Sequence, residues 1–543
     1  MTGTIILDHI LFFHTEYSDF SYKTIQTKKG PFPMHQYLSP RCRKTAIFFF
    51  WLSFWQLTAL LIDNSILMAG PWEVIQAFFH LMPEKSFWLS IAVSFGKISA
   101  GFLLAFFSGI LIGWLAFLHP VFGEFLAPVI SFMKSVPVAS FVILALIWMG
   151  SGRLSSLITF LVVFPVIYVN TIAGLKSTDK ELLEMAQVFS IRGWRKGRCL
   201  YWPALLPYLN SSCKTALGMS WKSGIAAEVI GVPEQTIGEQ LYLSKIYLNT
   251  AELFAWTLVI ILVSAGFERL FLVVLNRVGK KKPVFLGSRE SNFQTHTGQA
   301  EGNFLQTSNS LTAKLSKPHH CHAFTLSIHH LSKHFGTLEI FNRQDFSFSS
   351  EKPWCIMAAS GFGKTTLFRI LLGLEKAEEG EIEISNTSCE KNKITLNLLK
   401  ENNNSSNPLS ELRISAVFQE NRLCETLSPV DNLLLAVPEL NRKTAEQELS
   451  LLLPAECLNR PVSTLSGGMK RRAALVRAVC FSGTILLMDE PFTGLDEDTK
   501  QDAARYILSR RQGRLFIFSS HQEEEGRLLE AEILHLSSAR LSS

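Results

Sequence analysis

The chain has 543 residues and a formal net charge of +6, with 52 Lys and Arg against 46 Asp and Glu. Its mean hydropathy of +0.21 is high for a soluble protein, and the apolar residues concentrate in 45–276 while the charges concentrate in 280–543. That asymmetry excludes one soluble globule and reads as a membrane half followed by a soluble half; the basic residues gather at the ends of apolar segments, which argues against a nucleic-acid partner.

Residues 1–44 form a mixed N-terminal segment on the cytoplasmic side. No cleavable signal is legible there, since only Ile5 to Phe13 is weakly apolar. A second methionine, Met34, precedes Arg41, Arg43 and Lys44, so two starts are open, Met1 and Met34. The nine cysteines are scattered without a C-x-x-C pair, which points to a reducing face rather than a disulfide framework.

Roughly 20 apolar residues cross a bilayer as a helix, because lipid offers the backbone no other partner. Six spans are expected within a membrane domain over 45–278, at about 45–62, 98–118, 125–149, 154–174, 209–231 and 251–275. Pro128, Lys134 and Pro137 break the third. Arg41, Arg43 and Lys44, then Lys176 to Arg198, then Arg277 to Lys282 mark one side as cytoplasmic, while the other side has few cations (Lys85, Arg153 and Lys245). Both ends of the chain then face the cytoplasm.

The loop between the fourth and fifth spans, 178–203, carries Leu182, Leu183, Ala186 and Phe189 at helical spacing. A short amphipathic helix of this kind docks into a groove on another domain or lies on lipid headgroups. The loop resembles the EAA coupling loop of binding-protein-dependent ABC importer permeases: Glu184 and Ala186 match the first and third motif positions, while Met185 and Ser190 depart from it, Ser190 standing where a glycine is usual. Residues 50–278, including Ala127-Pro128-Val129-Ile130-Ser131 and Ala226-Ala227-Glu228-Val229-Ile230-Gly231, are similar to the nitrate/sulfonate/taurine permease branch. Within the spans, Glu228 is an acid in an apolar run, either on a transport path, paired with Lys222, or near the outer surface. Gly109-x-x-x-Gly113 suits close helix packing.

Residues 279–323 have a linker composition. Their end, His319-His320-Cys321-His322, holds metal-ligating types but no second pair at ligand spacing, and reads as a polar tract.

Residues 324–543 read as an α/β ATP-binding domain. Trp354 to Met357 is a short strand and Leu367 to Leu372 is helical; between them Ser360-Gly361-Phe362-Gly363-Lys364-Thr365-Thr366 resembles a Walker A loop. Its glycines let backbone N–H groups face phosphate at a helix N-terminus, with Lys364 on the β/γ-phosphates and the Thr365 hydroxyl on Mg²⁺. Ala358 replaces the motif's first glycine, a methyl that disfavours positive φ. Ile485 to Glu490 resembles a Walker B strand, with Asp489 on Mg²⁺ and Glu490 as general base. Gln419 resembles the Q-loop glutamine that touches Mg²⁺, His521 the switch histidine, and Phe335 the aromatic that stacks on adenine or, alternatively, packs in the core. Leu465-Ser466-Gly467-Gly468-Met469 resembles the ABC signature, and Asp496 the D-loop aspartate; in this family both face ATP on a second subunit. Residues 386–410, with Asn402-Asn403-Asn404, are expected to be a polar loop insertion. The sequence runs only to Ser543 after His521, so no further regulatory domain is expected.

The resemblance implies an all-α polytopic membrane domain of about six helices, type I importer-like, followed by a P-loop ABC ATPase. It implies ATP and Mg²⁺, a homodimer with composite sites, an extracytoplasmic solute-binding protein, lipid around the multi-pass domain in the cytoplasmic membrane, and a small anion or organic compound of the nitrate, sulfonate, taurine or thiamine-precursor type. A half-size exporter shares the domain order, but its spans extend far into the cytosol, whereas the loops here are short. An ATPase that only regulates membrane partners is a third reading, which Glu490 and His521 disfavour.

Overall fold

The computed structural model describes residues 40–64, 66–280, 324–359, 361–386, 393–397, 413–511 and 513–536. Met34, the 281–323 stretch with its histidines, and Ser360 lie outside them. The N-terminal half is helical: α1 (Pro40–Ile62), α2 (Pro71–Leu81), α3 (Lys85–Leu118), α4 (Pro120–Ser135), α5 (Val138–Met149), α6 (Leu154–Lys176), α7 (Lys180–Val188), α8 (Gly193–Lys196), α9 (Trp202–Gly231), α10 (Ile237–Ile246) and α11 (Thr250–Lys280). Contacts divide the chain into two units: α1 and α2 with Ser244–Ala255, and Glu84–Leu243 with everything from Trp256 onward. In the first unit, the Trp55 indole donates to the Ala69 carbonyl at 3.1 Å and its ring meets Phe254 at 5.7 Å.

Among the described residues, four helices are long and apolar enough to cross a membrane, or five spans if α4 and α5 form one broken span. That pair bends by 105° at Val136-Pro137, where proline removes an N–H and biases the preceding residue to extended backbone; Pro128 sits inside α4 without ending it. The second expected span starts earlier than its apolar run, at Lys85. The fifth, 209–231, does fall on one helix, α9, but composition keeps that helix out of the apolar set: Ser211, Ser212, Lys214, Ser220, Lys222, Ser223 and Glu228 lie within it.

In the second unit, α3, α6 and α9 pack around Phe102, Val163, Ile167, Leu209, Cys213 and Ala216. The glycines of α3 set the spacing, since a Cβ on Gly109 would lie 2.9 Å from Ile167 Cγ2 and one on Gly113 3.0 Å from Thr171 Cβ. Glu228 is fully buried, and it is not paired with Lys222. Its Oε2 accepts from the Ser94 hydroxyl at 2.7 Å and from the Gly238 N–H at 3.3 Å, while Ser94 Oγ accepts from the Ile237 N–H at 2.9 Å. The carboxylate therefore joins α3, α9 and the first N–H groups of α10, which have no partner within their own helix.

The C-terminal half carries two sheets. An antiparallel sheet has the order β2 (Leu338–Ser349), β1 (Phe324–Phe335), β4 (Glu379–Asn386), β5 (Lys393–Asn397). A parallel sheet has the order β6 (Ile414–Val417), β7 (Ile485–Asp489), β8 (Leu515–Ser520), β3 (Trp354–Met357), β9 (Glu532–His535). β6, β7 and β8 are buried along their whole length, as expected for a parallel sheet covered on both faces. The helices are α12 (Lys364–Leu371), α13 (Pro429–Ala436), α14 (Arg442–Ser450), α15 (Gly467–Cys480), α16 (Glu497–Arg510) and α17 (Glu523–Leu528). The expected loop insertion is corrected in part: Lys393-Ile394-Thr395-Leu396-Asn397 alternates in polarity and pairs with β4 from Lys393↔Ser385 to Asn397↔Glu381.

Replacing Glu228 with Ala strands the Ser94 hydroxyl and the Gly238 N–H in a buried place. The expected loss is about 2 kcal/mol, read as a lower unfolding midpoint of the detergent-solubilised chain. Glu228→Gln keeps an acceptor and is expected to lose less. Equal losses in the two variants would contradict this account.

Candidate functional site

The phosphate loop runs from β3 into α12. Gly361 and Gly363 have φ of +88° and +86°, backbone that side chains with a Cβ rarely adopt. A Cβ on Gly363 would also lie 2.6 Å from Ile340 Cγ2. Ala358 is not among the described non-glycine residues with positive φ, so its methyl meets no backbone conflict. Its carbonyl accepts from the Lys364 ammonium, which lies 3.3 Å from His521 Nε2. Burial pushes the Lys364 amine down from its ordinary value, against the pull of Glu490 and Asp489.

The acids follow β7. Asp489 is buried; its Oδ2 accepts from Thr365 Oγ1 at 2.9 Å and its Oδ1 from Ser519 Oγ at 2.6 Å. Burial raises its carboxyl above the usual range, and those two hydroxyls oppose the rise. Glu490 has φ of +48°, is held by a 2.9 Å bond from its N–H to Ser519 Oγ, and places Oε1 3.0 Å from His521 Nε2. Thr365, Gln419 and Asp489, the three residues expected at Mg²⁺, line one cavity of about 110 Å³. A hydroxyl, an amide oxygen and a carboxylate form a hard-oxygen donor set of the kind that cation takes.

Five further expected residues cap or open helices. Ser466 caps α15, accepting from the Met469 N–H at 3.3 Å, with Gly467 and Gly468 as the first turn; Ser466 and Gly467 are exposed. Asp496 caps α16, accepting from the Thr499 N–H at 2.9 Å. Thr366 sits half-buried in the first turn of α12. Phe335 is 48% exposed, which removes the core-packing alternative, and its ring lies 4.8 Å from Lys333 Nζ.

Sequence reasoning missed four residues that hold this site together. Arg471, 2% exposed, donates to the carbonyls of Phe418 and Asp489, and also to those of Gln419 at 3.2 Å, Glu490, and Pro491 at 3.1 Å. It therefore clamps the chain after β6 to the chain after β7; burial pushes its guanidinium down to about 10. Ser519 bridges Asp489 and Glu490. The other two are Arg369 and Arg422.

Those two arginines grip Glu184. Arg369 donates Nη2 to Oε1 at 2.8 Å and Nη1 to Oε2 at 3.0 Å, while Arg422 donates Nη1 to Oε2 at 2.8 Å. The hydrogen bonds from Arg369, outweighing burial, hold the Glu184 carboxyl below its ordinary range. Around the triad, Met185, Ala186, Phe189 and Ile191 are buried in the same core as Leu433, Val476 and Phe418, and Phe189 packs edge-on to Phe481 at 5.2 Å. α7 is the expected amphipathic helix, and its apolar face meets the nucleotide-binding half instead of headgroups. It ends in a left-handed cap at Ser190, φ +53°, the position where the family pattern has glycine. The Ile191 N–H returns to the Ala186 carbonyl at 2.8 Å and the Ser190 N–H to Gln187 at 3.1 Å, the bond pair that closes such a helix end. The legible signal for Arg369 was a lone cation inside Leu367-Phe368-Arg369-Ile370, on an otherwise apolar helix face.

Two family models match the chain: ABC transporter over residues 341–493, and binding-protein-dependent transport system inner membrane component over residues 101–280. The sulfate/thiosulfate import ATP-binding protein CysA of Methylococcus capsulatus is 30% identical over 213 residues, 37% of this chain and 57% of its own length. The lipoprotein-releasing system ATP-binding protein LolD of Porphyromonas gingivalis is 30% identical over 202 residues, 36% of this chain and 88% of its own length. A solved dimeric ATP-binding cassette in a post-hydrolysis state, bound to ADP and Pi, is 25% identical with a TM-score of 0.34, over 39% of this chain and 94% of that chain. The chain spans little more than half the length of the CysA relatives it matches, 57% and 54% for two of them.

Removing one member of the triad leaves a desolvated charge. Glu184→Ala is expected to cost about 3 kcal/mol, because Arg422 keeps only 7% of its side chain exposed. Adding Arg422→Met should recover part of that loss in a thermal-unfolding cycle; strictly additive losses would contradict the triad. Since the folded carboxyl is held below its ordinary value of 4.5, the contribution is fully present above that pH and is lost only as pH falls through the lowered value.

Proposed function

This chain belongs to the ABC transporter family, with a binding-protein-dependent permease segment fused to an ATP-binding cassette, and from that premise we propose that it drives the uptake of a small solute across the cytoplasmic membrane by hydrolysing ATP. The observation that carries the reading is the shared cavity: Thr365, Gln419 and Asp489 line it together with Arg369 and Arg422, the two cations that hold Glu184 of the membrane half.

In this reading Lys364 binds the β/γ-phosphates, and the N–H groups around Gly361 and Gly363 cradle them. Ser360, which lies outside the described residues, and Thr366 complete the loop. Mg²⁺ held by Thr365, Asp489 and Gln419 would neutralise phosphate charge. Glu490 orients and deprotonates the attacking water, and His521, already against Glu490, contacts the γ-phosphate. Phe335 stacks on adenine.

The exposed Ser466, Gly467 and Asp496, with the half-buried Gly468, present a helix N-terminus and an acid that serve ATP bound on a second copy. The working unit is therefore a homodimer with two composite sites. Closure around ATP moves the loop at Glu184 and switches the membrane cavity from one side to the other. An extracytoplasmic solute-binding protein delivers the solute, of the nitrate, sulfonate, taurine or thiamine-precursor type, and the short loops between spans favour import over export. The domain limits that go with this reading are 45–278 for the permease, 279–323 for the linker and 324–543 for the cassette.

Glu490→Gln is expected to lower ATP turnover by about a hundredfold or more, while nucleotide binding, read by equilibrium titration, persists. Undiminished turnover would refute the assigned base. Proteoliposomes supplied with a candidate binding protein should show ATP-driven uptake. Hydrolysis indifferent to every binding protein, accompanied by outward movement of lipid or drug, would overturn the import reading.

A further inference from the structure

The exposed face of α9 differs from those of the other long helices. α1 presents Phe49, Phe50, Leu57 and Leu61, α3 presents Leu104, Phe107 and Leu111, and α11 presents Ile261, Leu270 and Val274. These are faces that lipid can cover. α9 buries Leu209, Cys213, Ala216, Leu217 and Trp221 and leaves Ser211, Lys214, Thr215, Gly218, Lys222 and Ala226 exposed, with Met219 among them and Tyr208 and Ile230 exposed toward the helix ends. Neither lysine has an acidic partner among the described residues.

Position along the helix sharpens the contrast. α9 has 30 residues and is about 45 Å long at 1.5 Å per residue, the thickness of a bilayer with its headgroups. Lys214 and Lys222 stand about 18 Å and 30 Å from its first residue. Centred on the helix, the hydrocarbon layer of about 30 Å contains both. Thr215, Gly218 and Ala226 are short, and Met219 is the one long apolar side chain exposed between the two lysines. Charge at that depth faces water or protein, because facing lipid is costly.

We infer that the Ser211–Ala226 face of α9 lines the water-filled path of the transporter, and that Lys214 and Lys222 select solutes carrying negative charge. The assignment rests on the transport reading above. The lysines lie about 12 Å apart along the axis, so an anion passing between them stays within the field of one or the other. The small residues leave room for it. Two copies facing one another would line the path with four cations.

The test uses the full chain in proteoliposomes, with Cys42, Cys321, Cys389 and Cys480 replaced by Ser. Thr215→Cys and Ala226→Cys keep both lysines; Leu111→Cys, on the apolar face of α3, is the lipid-facing control. Each is treated with a sulfonate-bearing and with a trimethylammonium-bearing methanethiosulfonate. Thr215→Cys and Ala226→Cys should react and Leu111→Cys should not. Adding Lys214→Gln to the first, or Lys222→Gln to the second, should lower the anionic-to-cationic rate ratio by about threefold or more. Silence at both stripe positions would mean that lipid or a protein surface covers them, and a ratio unmoved by loss of the lysines would mean that they do not set the field; either result overturns the assignment. ATP turnover by the parent chain, and its loss in Glu490→Gln, tests the transport reading separately.

Discussion

The carboxylate of Glu184, shared between Arg369 and Arg422, is the contact on which the arrangement of the chain depends. One acid takes three hydrogen bonds from two guanidiniums in a place where its side chain is 13% exposed. Water is largely excluded, so each charge needs its partner: the attraction strengthens as the dielectric falls, and so does the penalty for leaving a charge alone. The bidentate fork of Arg369 fixes the direction of approach as well as the distance. Met185, Ala186 and Phe189 add apolar packing around the triad. The triad supplies register, because sliding α7 by one residue would break all three bonds at once.

Both arginines are anchored close to residues of the proposed nucleotide site. Arg369 is on α12, whose first turn is Lys364 and Thr365. Arg422 follows Gln419 by three residues, and its backbone carbonyl is held by Arg477 at 2.7 Å. Gln419 is tied in turn to Asp489 and Glu490 through the Arg471 clamp. From Glu184 to the acids of β7 the connection thus runs through the Arg422 bond, the three-residue stretch back to Gln419 and the Arg471 hydrogen bonds. Burying three guanidiniums is expensive, and carbonyl acceptors offset that cost one N–H at a time. The arrangement fixes the loops after β6 and β7 relative to each other more firmly than apolar contacts alone, which tolerate rotation.

Much of this was legible from residue order. Glycines at 361 and 363 pointed to backbone with positive φ between β3 and α12, and an apolar strand running into Asp489-Glu490 pointed to acids at the end of a sheet strand. Glu184 and Ala186 were legible through a motif whose chemistry the bare letters do not explain. The arginines were not. Arg422, Arg471 and Arg477 look like ordinary solvated cations in sequence, and Arg369 stands out only as a lone cation among apolar neighbours, because burial of a charge is decided by carbonyls and acids contributed from distant segments. The α9 span was only half legible for a related reason: its buried stripe is apolar enough to suggest a simple membrane helix, and only the three-dimensional face separates Leu209 and Leu217 from Lys214 and Lys222. β5 was hidden by the asparagine-rich stretch that follows it, which outweighed five alternating residues.

The short turn between α8 and α9 is where the two halves of the chain become mechanically inseparable. Residues Gly197–Tyr201 form a single π-helical turn, a geometry that inserts extra backbone into a helix and is found where function demands it. Cys199 and Leu200 are buried in the core that holds α7 and the nucleotide-binding half. Tyr201 and Trp202 pack instead into the membrane core, with Tyr201 edge-on to Trp114 at 5.7 Å and to Phe117 at 5.5 Å. Two adjacent residues therefore belong to two different cores, with no slack between them. A close-packed interior transmits displacement because it cannot compress. Any shift of α7 that keeps the Glu184 triad intact must accordingly pass through this turn into the first residues of α9, the helix that carries the charged face.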